Sequence, residues 1–86
     1  MMTEQEILDY TKDRYPNEDA LIGRSLINFY ALRMKEEKNE AEELHQEKLY
    51  EGVIELFQIL SEQIAEDLGE DREEIMDHLK NIHIKS

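Results

Sequence analysis

The sequence predicts an all-α fold: a four-helix compact bundle, with helices at about residues 4–14, 18–37, 40–68 and 71–83, built on a long antiparallel helical hairpin. Three observations predict it. Between Asn39 and Leu68, the residues Leu49, Val53, Leu56, Phe57, Leu60, Ile64 and Leu68 recur at spacings of three and four, which places them on one stripe of a 3.6-residue repeat. Thr3/Glu6, Asn39/Glu42 and Asp71/Glu74 each have the spacing of a helix-starting capping box. Pro16 and Gly69 punctuate the chain where two of the helices should begin or end.

The first helix needs little more than its cap, with Ile7, Leu8 and Tyr10 as a short apolar face. Pro16 disfavours a helical conformation at Tyr15, and Asn17 is expected to cap the second helix, with Glu18 and Asp19 in its positive first turn. The stripe of that helix is Ile22, Leu26, Phe29, Tyr30 and Arg33, flanked by Leu21, Ile27 and Met34. So broad an apolar surface should be shared by two neighbours.

Lys35 to Glu40 contains no apolar residue and no heptad repeat crosses 35–48, so the chain is expected to turn there instead of continuing as one rod. Folding back about Lys38 sets Gly23 opposite Gly52, which predicts a close helix crossing. In the third helix Tyr50, Ile54 and Ile59 widen the stripe, while Ala41 and Leu44 leave its first turns solvated. The fourth helix buries Ile75, Met76, Leu79 and Ile82, keeps His78 outward, and sets Lys80 and Lys85 at its negative end.

Eighty-six residues are read as a single helical domain, 1–86, which buries only about 60–65% of the surface of its unfolded chain. Leu, Ile, Val and Phe supply 22 residues, above the level of about 20% below which highly charged chains stay unfolded. The absence of cysteine excludes disulfides and zinc–thiolate sites. There is no apolar run near the ~20 residues of a membrane span, and the acidic start lacks the basic region of a signal peptide, so a cytoplasmic protein is expected.

The net charge of −12 is unevenly placed: residues 62–77 carry −7, whereas 20–34 carry +2. Such a surface repels nucleic acid and anionic lipid and attracts basic protein surfaces.

Three short patterns invite a chemical reading. The segment from Ile64 to Leu79 resembles a helix-turn-helix, with Ala65, Gly69 and Ile75 at that motif's spacings. Its would-be recognition helix carries Asp71, Glu73, Glu74 and Asp77 against Arg72 and Lys80, the wrong sign for phosphates. Direct nucleic-acid binding is therefore not expected. Glu36, Glu37 and Glu40 form an EExxE sequence that resembles the first metal-binding motif of all-helical nucleoside triphosphate pyrophosphohydrolases, but where the partner ExxD should stand, Glu55 is followed by Gln58. Glu42 and His45 resemble one half of a helical di-iron site, with no second half. No serine or threonine sits in a nucleophile setting and no glycine-rich loop is present, so no enzyme activity, metal or cofactor is expected.

The expected partner-binding site is an acidic patch of Glu62, Glu66, Asp67, Glu70, Asp71, Glu73, Glu74 and Asp77 around one helix–turn–helix corner. A patch of that kind imitates DNA phosphates. The expected function is thus a small acidic inhibitor or adaptor that occludes the basic, nucleic-acid-binding surface of a partner protein. Phage inhibitors and anti-sigma factors work in this general way, a likeness of class only. The alternative is a structural or assembly protein forming a helical homodimer or larger homo-oligomer through Ile59, Leu60, Ile64 and Leu68, where helix 3 outruns helix 2 and needs cover from helix 1, helix 4 or a second chain. A metal-dependent, pyrophosphohydrolase-like enzyme is the remote alternative.

Overall fold

A computed structural model of the chain describes residues 2–84. Among these residues there are four helices and no strand: α1 (Glu4–Arg14), α2 (Pro16–Arg33), α3 (Glu40–Leu68) and α4 (Arg72–His83). Lys85, expected near the negative end of α4, lies outside the described residues.

Two of the three capping boxes form in full. The Thr3 hydroxyl accepts from the Glu6 N–H at 3.2 Å while the Glu6 carboxylate accepts from the Thr3 N–H, and Asn39 and Glu42 exchange the same pair of bonds. The third is one-sided. Asp71 accepts from the Glu73 N–H at 3.1 Å, and Glu74 returns nothing to it. Gly69 ends α3 in the left-handed region, at φ 66°, where a side chain would strain the backbone.

Helix α2 departs from expectation at both ends. It starts at Pro16 instead of 18, with Tyr15 as a cap that offers no side-chain bond and Asn17 already inside the helix. Proline explains this, since its fixed φ and missing N–H suit a first helical turn without a capping acceptor. The helix then stops at Arg33, short of 37, because Lys35–Glu40 has nothing apolar to bury and so gains no packing for further turns. The break at residues 34–39 is tied down by the Lys35–Glu42 ion pair and by Lys38, whose ammonium donates to Gln46 Oε1 at 3.0 Å.

All four helices contribute to one core: Ile7 from α1, Ile22 and Leu26 from α2, Val53, Phe57, Leu60 and Ile64 from α3, and Ile75 and Leu79 from α4. Each such side chain is worth roughly 1.5–3 kcal/mol when fully buried. Thr11 and Ser61 are buried too, and each satisfies its hydroxyl within its own helix by donating to the carbonyls of Ile7 and Gln58. Helices α2 and α4 lie against α3, and α1 joins α4 to α2.

This core corrects several expectations. Leu60 and Ile64 are 1% and 0% exposed, covered by the chain's own helices, and Leu68 is half-buried, so of the proposed oligomer surface only Ile59, 60% exposed, faces solvent. Gly23 and Gly52 do not mark a close crossing: a Cβ built on either meets nothing within 4 Å. His78 is not outward, since its Nδ1 lies 3.9 Å from Glu4 of α1. Leu21 and Ile27 of α2 and Met34 at its end remain exposed, so the broad apolar surface, although shared by α3 and α1, keeps an open side.

The molecule measures 45 × 21 × 18 Å, its long axis set by the 29 residues of α3 at about 1.5 Å each. Its radius of gyration of 14.1 Å exceeds the roughly 12 Å of a compact chain this long. Buried residues of α3 begin only at Val53, which leaves the Glu40–Tyr50 end projecting beyond the core. No helix among the described residues is long and apolar enough to cross a membrane.

Candidate functional site: the acidic corner

The turn at Gly69–Asp71 is fixed by backbone bonds from Gly69 and Glu70 to the carbonyl of Ala65, at 3.1 Å for Glu70. So short a turn sets the last turns of α3 beside the first turns of α4; the helices carry Glu62, Glu66, Asp67, Glu73, Glu74 and Asp77, and the turn itself carries Glu70 and Asp71. They do not all face one way.

Glu62, Glu73 and Asp77 line one groove of about 440 Å³ between α3 and α4, in company with Arg72 and Lys80. Arg72 pairs with Glu62 at 2.8 Å, an exposed contact worth little in net stability but enough to remove one free carboxylate from the patch. Asp71 is occupied in capping α4. Glu66 is exposed, while Glu70 and Glu74 are half-buried. Among the described residues, no cation pairs with Glu66, Glu70, Glu73, Glu74 or Asp77.

Asp67 turns the other way. Its Oδ2 accepts from the Tyr15 hydroxyl at 2.6 Å and from the Tyr10 hydroxyl at 3.1 Å, and its Oδ1 accepts from Gln63. The Tyr15 bond, then that of Gln63, holds the Asp67 carboxyl below the usual carboxylate range. The same bond pushes the Tyr15 phenol up to about 12, and desolvation, followed by its own bond to Asp67, raises Tyr10. The arrangement ties the α1–α2 junction to the end of α3. Asp67 is therefore a structural acceptor within the patch. No local pattern announces this, because the two tyrosines lie 57 and 52 residues away in sequence.

The candidate metal ligands are put to other uses. Glu42 completes the α3 capping box and pairs with Lys35, whose hydrogen bond is the main reason its carboxyl is lowered. Glu36 and Glu37 sit in the exposed break before α3, Glu40 opens the helix and His45 is exposed on it. No group of three or more such ligands assembles among the described residues.

A second titratable site was not foreseen. His83 stacks on Phe57 with centroids 5.7 Å apart, and its Nε2 faces Asp19 Oδ1 at 3.7 Å, both atoms buried without a hydrogen bond. Burial lowers the pKa of the ring against the opposing pull of Asp19. In comparisons with protein families, with curated proteins and with solved structures, nothing matches this chain.

Proposed function

We propose that the protein is a small acidic protein-binding module whose α3–α4 corner occludes a basic, nucleic-acid-binding surface of a partner protein. In this reading α2 and α3 form an antiparallel hairpin within a compact bundle, supported by the Phe29–Tyr50 ring contact at 5.3 Å beside the break at residues 34–39. The observation that carries the function is the set of Glu66, Glu70, Glu73, Glu74 and Asp77, unpaired among the described residues and gathered about a turn that Gly69 and Glu70 close with backbone bonds to Ala65. Carboxylates positioned on helices and left without internal cations direct their potential outward, where a basic surface can neutralise it.

The test is affinity capture from the cell extract in which the protein is made, with Glu66, Glu73 and Asp77 changed together to Gln as the comparison. The expected result is one stoichiometric, basic partner that handles nucleic acid, captured by the wild type, released by salt and lost in the variant. Binding that is insensitive to both salt and the substitutions ends the proposal.

One observation favours assembly as a second reading. Residues 20–34 contain no acid in a chain with 22 of them, and within that stretch Ile27 and Met34 are 70% and 81% exposed. A second copy could approach there without carboxylates meeting. Sedimentation of the wild type against Ile27→Glu separates the two: a dimer lost in the variant supports assembly, and a monomer in both removes it.

A further inference from the structure

The projecting end of α3 forms one wall of an open groove of about 840 Å³, with α2 as the other wall and Ile84, just past α4, at its margin. The groove begins where α4 gives out. Its floor is apolar, made by the paired rings of Phe29 and Tyr50, by Tyr30 and by Leu44, of which Leu44 is 53% and Tyr50 39% exposed. Glu40, Glu43, Glu47 and Glu51 follow one another along the α3 wall at spacings of three and four, whereas the opposite side offers Arg33 and Lys38. From Glu40 to Glu51 the wall is about 17 Å long, the length of a three-turn helix.

From this geometry we infer that the groove is a docking site for an amphipathic helix of a partner protein that carries Lys or Arg along one flank. Its apolar face would lie on Phe29, Leu44 and Tyr50, continuing along α3 the line that α4 leaves open, and its basic flank would meet Glu43, Glu47 and Glu51. Charge selects this occupant over the others. A second copy brings −12 of its own, and its acid-free stretch, residues 20–34, has only Arg24 and Arg33 to set against that wall. An anionic membrane or nucleic acid would be repelled by the carboxylate wall.

The inference is independent of the acidic corner, and the experiment keeps the two apart. The probe is a synthetic helical peptide of about 14 residues, with leucines at i, i+3, i+4 and i+7 and lysines on one flank, titrated into the ¹⁵N-labelled full chain. Amide shifts should gather at Phe29, Leu44, Glu47, Tyr50 and Ile84. Leu44→Glu, at an exposed position whose loss leaves the core intact, should weaken binding by about tenfold or more. Replacing Glu43, Glu47 and Glu51 by Gln should weaken it and flatten its salt dependence. The inference is overturned if the shifts gather at Glu66–Asp77, which would leave only the corner reading, or if a scrambled peptide of equal composition binds as well. Failure to saturate below about 200 µM with the leucines in any register also overturns it.

Discussion

His83 is the residue whose environment most changes its chemistry. The ring lies against Phe57 and away from water, and its depressed pKa means that the folded protein keeps it neutral where the unfolded chain, with an ordinary value near 6.5, would take up a proton. The sign follows. As pH falls through about 6.5 the unfolded state binds more protons than the folded state, so stability declines and goes on declining until the folded ring itself titrates. Thermal melts between about pH 7 and pH 5 should show this loss, and His83→Gln should flatten it across that window. Asp67 acts lower on the scale: its depressed carboxyl adds stability above the ordinary carboxylate range that disappears on further acidification. At the alkaline end, the raised phenols of Tyr10 and Tyr15 favour the fold below about pH 10, and that contribution is lost as pH rises. Ultraviolet titration should therefore find one of the four tyrosines ionising near 12, and Asp67→Asn should bring it back toward 10.

At the level of the helix, the glycines separate conformational need from tolerance. Gly69 is left-handed, so Gly69→Ala should cost about 1–2 kcal/mol and lower the melting temperature by several degrees. Gly23 and Gly52 lie within α2 and α3 with open space where a Cβ would stand, so alanine at either should stabilise by about 0.5–1 kcal/mol. The opposite sign at the two helical positions would restore the close crossing that their facing heights predicted. Helix identity was legible because local signals agreed: caps at Thr3 and Asn39, a stop at Gly69 and the stripe of Val53, Phe57, Leu60 and Ile64 all report on neighbours three or four residues away. What periodicity does not tell is which helix covers which face. It therefore left Leu60 and Ile64 open to cover by a second chain as well as by the chain's own helices, which in fact enclose them, and it missed the grip of Tyr10 and Tyr15 on Asp67 and the enclosure of His83. Those contacts depend on how four elements meet.

At the level of the whole molecule, the elongated shape and the charge distribution act together. Repulsion among the carboxylates of residues 62–77 is expected to oppose folding, because the turn at Gly69 brings the end of α3 next to the start of α4. The same number of charges dispersed over the surface would keep a protein soluble with less repulsion than −7 gathered within 16 residues while 20–34 are free of acids. A cost of that kind is measurable. Changing Glu66, Glu73 and Asp77 to Gln should raise the melting temperature by a few degrees at low ionic strength, with the gain fading toward about 0.5 M salt as the Debye length shrinks below the spacing of the charges. Arg72→Gln should move the other way, because it removes the cation paired with Glu62 and frees that carboxylate. If the triple substitution instead leaves stability unchanged at low salt, the carboxylates do not feel one another, and a concentrated field at this corner, on which occlusion of a basic surface depends, does not exist.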